Sequence, residues 1–204
     1  EKEAVEEIVP EENRIFTGTE SFTYDYLVVS TGIELDLDRI PGMRDVLDDP
    51  SHPAGTIYSH KYVYKTLNKR NEFTGGKALF MNPMQPIKCG GAPLKIMYLS
   101  DYEWREKGLH FKQSLSQLLQ FYLQLAKSSL ILSILFVMNE RLKEFRQNNQ
   151  LNEKDNRVAV FKDNSTGEEI KEQYDFLHVV PPMRSVEVIR KSKLVNEAGF
   201  VQVD

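Results

Sequence analysis

The sequence predicts an α/β protein with two parallel-sheet domains, each present in part, carrying antiparallel β insertions. Three observations predict it: a strand, a glycine-bearing loop and a helix in succession; a faint internal repeat of apolar strands; and a hairpin ahead of each copy of that repeat.

The first observation is Gly75-Gly76 running into the apolar stretch Lys77 to Met81, then the loop Pro86-Ile87-Lys88-Cys89-Gly90-Gly91-Ala92-Pro93, then an amphipathic run. In that run Leu94, Met97, Tyr98 and Tyr102 recur at helical spacing and form its apolar face. Pro93 stands where a first helical residue would, a position at which its missing N–H costs nothing. Strand, loop and helix in this order open a doubly wound domain. Yet no G-x-G-x-x-G occurs in the chain, and a cysteine stands where a nucleotide's phosphates would be cradled.

The second observation is that Tyr24-Asp25-Tyr26-Leu27-Val28-Val29 is echoed by Tyr174-Asp175-Phe176-Leu177-His178-Val179-Val180. Continuous apolar runs suit strands buried on both faces of a parallel sheet. The first run ends at Thr31-Gly32 and the second at Pro181-Pro182. The third observation precedes each copy. Arg14-Ile15-Phe16 is followed by turn residues Thr17-Gly18-Thr19, and Arg157-Val158-Ala159-Val160-Phe161 by Asp163-Asn164-Ser165-Thr166-Gly167. Two such units suggest two nucleotide-binding-type domains, each with a small antiparallel insertion before its last sheet strand. A chance likeness between two buried strands also fits so short a match.

Composition narrows the class without naming a function. The chain has 204 residues, 41% hydrophobic and 27% charged, which suits a folded globular protein of one large or two small domains. Its net charge is −4, with no Lys/Arg-rich block, which argues against nucleic-acid binding. His52, His60, His110 and His178 are never at ligand spacing, so no metal site is expected and each reads as a surface or core histidine. The chain opens in mid-pattern with Glu1-Lys2-Glu3, so we expect a stretch of a longer protein. The lack of a targeting segment then says nothing about compartment.

Cys89, the only cysteine, is the candidate reactive group. It would lie just before a helix N-terminus and beside Lys88, and both the positive dipole end and the cation favour the thiolate, the nucleophilic form. The competing reading is a buried free cysteine acting as a small hydrophobe. Gly90, Gly91 and Lys88 argue against it, since a core position would be flanked by apolar residues.

Three segments carry a family resemblance. Tyr24-Asp25-Tyr26-Leu27-Val28-Val29-Ser30-Thr31-Gly32, then Pro86-Ile87-Lys88-Cys89-Gly90-Gly91-Ala92-Pro93-Leu94-Lys95-Ile96-Met97-Tyr98-Leu99-Ser100, and His178-Val179-Val180-Pro181-Pro182-Met183 resemble mitochondrial-type sulfide:quinone oxidoreductase. The tail Ala198 to Asp204 is similar to the strand preceding that family's second flavin-contact region. The resemblance covers residues 1–108 and about 157–204. It places 1–47 in the C-terminal part of the first half of an FAD-binding domain. Residues 72–182 would form a second Rossmann-like domain with the redox cysteine, irregular over 109–156, and 183–204 would return toward the first domain.

The resemblance implies FAD as cofactor and a catalytic role for Cys89. In the family two cysteines carry sulfur between them, sulfide attacks the bridge, and one cysteine becomes a persulfide. Electrons pass through FAD to ubiquinone at the membrane surface, and the sulfur goes to glutathione or sulfite. Thr31 and Gly32 are implied flavin contacts, a plain tight turn being the alternative. Val5 matches a position whose main chain meets the adenine, a simple edge strand being its alternative. Hydrogen sulfide, ubiquinone and a peripheral association with the mitochondrial inner membrane follow from the same resemblance. The glycine-rich pyrophosphate turn and the second cysteine are not among the 204 residues. This stretch alone is therefore expected to be inactive. An NADH:quinone oxidoreductase-like flavoprotein and a non-catalytic pseudoenzyme fragment stay open as other classes.

The middle departs from the family. From Leu109 to Met138 neither the family's strand nor its following turn is legible. Familiar text resumes near Asn139-Glu140-Arg141. Preserved length with lost pattern points to a shifted reading frame or a spliced alternative. A membrane helix is the functional reading, but Gln124 and Lys127 interrupt an apolar stretch of barely ~20 residues, the minimum for a span. A sequence artefact, or a buried or interfacial helix, is preferred to a true span.

Overall fold

The computed structural model describes residues 3–81, 87–109, 111–116, 142–147, 157–163 and 169–203. The chain divides into two compact units, one of Glu1–Asp36 with Met183–Asp204, the other of Leu37–Pro182. Residues 37–47, grouped by the sequence with the first region, belong to the second unit, where helix α1 (Met43–Asp48) packs on strand β5 (Ala54–Gly55).

The second unit is built on a four-stranded, wholly parallel sheet. Its order is β5, β11 (Phe176–His178), β6 (Gly76–Met81), β7 (Phe111–Ser116). Helix α2 (His60–Glu72) connects β5 to β6, and α3 (Ala92–Glu106) connects β6 to β7, the alternation that a doubly wound sheet requires. An antiparallel sheet of β8 (Leu142–Gln147), β9 (Val158–Asp163) and β10 (Glu169–Gln173) is inserted before β11. The α/β class with a parallel sheet and antiparallel insertions is thus observed.

β11 is the second copy of the sequence repeat and takes the buried central position expected of it. Phe176, Leu177 and His178 are all wholly buried. Asp175, just ahead of it, fixes where β6 begins: its carboxylate accepts the Lys77 N–H at 2.8 Å, and its own N–H donates to the Lys77 carbonyl at 2.8 Å. Gly76 is needed there. Its φ is +100°, and a Cβ would collide with that carboxylate. Gly55 plays a similar part for α2, since a Cβ there would stand 2.5 Å from Thr66 Oγ1 and 2.9 Å from the Thr66 Cα.

The core between sheet and helices joins Phe73, Ala78, Phe80, Met97, Trp104 and Phe176. Trp104 lies 4.3 Å from Phe73 and meets Phe176 edge-on at 5.5 Å, ring centre to ring centre. Its indole N–H, which must find an acceptor when buried, donates to the Arg70 carbonyl at 2.9 Å. The buried stripe of α3 is therefore Pro93, Met97, Ser100 and Trp104. This corrects the expected face: Tyr98 is 37% and Tyr102 68% exposed, and Leu94 is only partly buried. The indole outweighs both phenols in apolar area and has its acceptor inside, whereas the two tyrosine rings stand at the solvent side of the helix.

The first unit is antiparallel. Strands β1 (Val5–Val9), β2 (Arg14–Thr17) and β3 (Ser21–Thr23) form a meander, so the hairpin read before the first repeat copy is present. β4 (Ile33–Leu35) pairs with β12 (Met183–Ser185) as a two-stranded ribbon. Arg184 reaches Glu34 at 3.3 Å and Asp36 at 3.2 Å across it. A short helix, α4 (Glu187–Arg190), packs on β1.

The first repeat copy is the main departure. Tyr24 to Val29 is not a strand, and Tyr26 and Val28 are 93% and 86% exposed. A buried strand needs a neighbour on each side, and among the described residues none pairs with this segment. The tail also differs: Ala198 to Val203 holds no strand but a turn closed by the single bridge Val195–Val201, with the Asn196 side chain accepting the N–H groups of Ala198 and Phe200. In the irregular middle, a strand not legible in the sequence is present, because β7 pairs in parallel register with β6 from Phe111 opposite Gly76 to Ser116 opposite Met81. The apolar stretch beyond it, Leu118 to Met138, lies outside the described residues. Among the described residues no helix is long and apolar enough to cross a membrane.

Candidate functional site at the carboxyl end of the parallel sheet

In open parallel sheets, ligands meet the protein beyond the carboxyl ends of the strands. Here that end gathers the exits of β5, β11 and β6: Thr56 to Tyr58, His178, and the loop that carries Cys89.

Cys89 is exposed, which sets aside the buried-hydrophobe reading. Gly91 is the N-cap of α3, Ala92 its first residue and Pro93 its second, so the helix starts one residue before the expected place. No side chain caps it. Instead the Cys89 carbonyl accepts the Ala92 N–H at 2.9 Å, and the Gly91 carbonyl accepts that of Lys95 at 3.0 Å. Cys89 has φ +52°, the left-handed region that non-glycine residues seldom occupy. Lys88 beside it is exposed.

A second group holds the same carbonyl. The Tyr58 hydroxyl donates to it at 3.1 Å, from a side chain that is otherwise buried. Burial pushes the phenol pKa well up, with the neighbouring cysteine adding to the effect, so the hydroxyl keeps its proton. Nothing in the linear text links Tyr58 to Cys89. The contact arises because β5 and β6 end on the same side of the sheet.

His178 was legible only as a surface or core histidine, and it is core. Its Nε2 accepts the Ile57 N–H at 3.3 Å, while its buried Nδ1 has no hydrogen-bond partner among the described residues. The ring stacks on Phe80 at 6.3 Å. Desolvation lowers its pKa to about 3, so the imidazole is neutral, and the accepted bond assigns the proton to Nδ1.

The other expected site residues lie in the first unit. Val5 is half-buried in β1 and pairs with Thr17. Thr31 and Gly32 are exposed and lead into β4. Gly32 has φ +71°, and a Cβ on it would meet nothing within 4 Å. Its glycine therefore serves the backbone turn, and the main chain around it is open to a ligand. Thr31 and Gly32 thus expose their main chain, whereas Val5 is engaged with Thr17 in the β1–β2 ladder. Among the described residues no group of three or more metal-ligating side chains stands together.

No family model matches the sequence. The chain is 36% identical over 214 aligned positions, 99% of its length, to the mitochondrial sulfide:quinone oxidoreductase of Schizosaccharomyces pombe, and 33% identical over its whole length to that of Mus musculus. It spans 45% and 46% of those two proteins, about half the length of the curated relatives it matches. Among solved structures, a chain of the Tetrahymena thermophila mitochondrial ATP synthase superposes on it with a TM-score of 0.71 at 22% identity, covering 100% of this chain and 52% of that one. At that identity the likeness speaks for the fold alone. The resemblance first carried by the Cys89 loop thus extends along the whole sequence: the chain is a relative of the mitochondrial sulfide:quinone oxidoreductases.

Proposed function

We propose that these residues are the part of an FAD-dependent sulfide:quinone oxidoreductase that carries one of its two sulfur-handling cysteines. The observation that carries the reading is Cys89: an exposed thiol at the carboxyl end of a parallel sheet, in the loop where a nucleotide-binding domain would hold phosphate. The relatives' names support sulfide and quinone as substrates and a mitochondrial setting.

The step asked of Cys89 is disulfide exchange. Hydrosulfide attacks the sulfur bridge between Cys89 and a second cysteine that is not among the 204 residues. One S–S bond forms as one breaks, and a cysteine sulfur leaves as thiolate. The sulfide sulfur ends as a persulfide that glutathione or sulfite can take. FAD, when bound, supplies the acceptor for the electron pair released as the bridge re-forms, on its way to ubiquinone. Thr31, Gly32 and Val5 would meet it through their main chain. Work on ubiquinone implies peripheral association with the inner membrane.

The test is Cys89→Ser in the full-length protein. Flavin should remain bound and its bleaching by sulfide should cease. A serine variant bleached at near the normal rate would remove Cys89 from the reaction.

A further inference from the structure

We propose that Tyr58 is the positioning residue for Cys89: its hydroxyl fixes the Cys89 carbonyl, and with it the left-handed backbone that presents the thiol. The proposal rests on reading Cys89 as the sulfur-handling residue.

The loop places its backbone strain at Cys89. Gly90 and Gly91 follow directly and could take a positive φ at no steric cost. Neither does: Gly91 has φ −84°, and the left-handed residue is Cys89 at +52°. A non-glycine residue stays in that region only where its surroundings over-determine it. Two donors converge on its carbonyl, the Ala92 N–H at 2.9 Å from within the loop and the Tyr58 hydroxyl at 3.1 Å from another strand exit. The first would travel with the loop. The second is anchored outside it, so Tyr58 ties the cysteine's backbone to the exit of β5.

That anchor is itself held. The Tyr58 N–H donates to Thr56 Oγ1 at 3.3 Å, and the preceding Ile57 N–H donates to His178 Nε2 at 3.3 Å. The ring is 6% exposed, so the phenol has little freedom to swing away. Rotating the Cys89 peptide would break the hydroxyl's bond and leave a largely buried phenol without this acceptor. A thiol that must approach both an attacking sulfide and a partner sulfur gains from a fixed direction, since misplacement by an ångström is costly in rate.

The experiment uses the flavin-loaded full-length protein in three forms: wild type, Tyr58→Phe, and position 58 carrying 4-aminophenylalanine, which keeps a donor at the same place. Stopped-flow bleaching of the flavin by sulfide should show a limiting rate constant about tenfold lower for Tyr58→Phe. The half-saturating sulfide concentration should move less than twofold. The amino variant should recover most of the rate. Independently of activity, the Cα and Cβ chemical shifts of Cys89 should leave the left-handed range in Tyr58→Phe. An unchanged limiting rate, unchanged Cys89 shifts, or equal rates in the two variants would each overturn the proposal. A Tyr58→Phe protein that fails to fold would make the hydroxyl a folding element and overturn it as well. Cys89→Ser run alongside separates the two readings. If that variant still reacts with sulfide, Cys89 itself is misassigned; if it does not and Tyr58→Phe is normal, only the positioning role falls.

Discussion

The carboxylate of Asp175 accepts the Lys77 N–H at 2.8 Å and covers the Cα of Gly76 so closely that no side chain fits there. One acidic residue at the foot of β11 thereby sets the first rung of β6. The Lys77 ammonium pairs with Glu172 from the same region, and Arg157 lies 4.0 Å from Asp175. The Tyr-Asp pair that marks the internal repeat has, in its second copy, a mechanical meaning.

Gly76→Ala should be strongly destabilising. It would force an alanine to φ +100° and drive its methyl into Asp175, and each effect costs roughly 1–3 kcal/mol. Asp175→Ala alone, which loses one backbone hydrogen bond, should cost about 1 kcal/mol. The double variant should lose less than the sum, because the clash is gone. Urea unfolding of the three variants measures this, and strict additivity would contradict it.

His178 should make stability depend on pH on the acid side. Its pKa is lowered from 6.5 to about 3 by burial, so between those values the unfolded chain binds a proton that the native one refuses. Stability is full above about pH 6.5 and falls as pH drops toward 3, by up to about 1.4 kcal/mol per pH unit from this residue. His52, held down to about 4 chiefly by burial, adds a second contribution of the same sign. His178→Gln, which keeps an acceptor for Ile57, should remove a substantial share of the slope between pH 6.5 and 4. An unchanged slope would mean that other groups govern acid unfolding.

Trp104→Phe should cost about 2–4 kcal/mol. The change leaves a void among Phe73, Phe80 and Phe176 and strands the Arg70 carbonyl that the indole N–H now satisfies. By contrast Tyr102→Ser, on the 68% exposed face of the same helix, should shift stability by no more than about 0.5 kcal/mol. Denaturant midpoints at a shared slope test both. Equal losses at the two positions would restore the tyrosine face as the buried one.

Much of the second unit was legible in the order of residues. Gly75-Gly76, the apolar run to Met81, the Cys89 loop and the run from Leu94 announced strand, loop and helix because each signal is local: glycine for a positive φ, apolar periodicity for burial, proline for a helix start. The same local chemistry gave both hairpins and singled out Cys89. Other features depended on neighbours that periodicity cannot identify. Tyr26 and Val28 read as buried and stand exposed, because burial of a strand is a property of its sheet and not of its own residues. Which face of α3 turns inward was decided by the size of Trp104 and by an acceptor on Arg70, 34 residues away in sequence. β7 was missed because its residues carry little pattern and its ladder is supplied by β6. The sequence by itself thus determined the class, the strand–loop–helix unit around Cys89 and the antiparallel insertions. Only the tertiary structure could bring Tyr58 to the carbonyl of Cys89 and seal His178 from water, since both require strand ends distant in the chain to finish at one edge of a sheet.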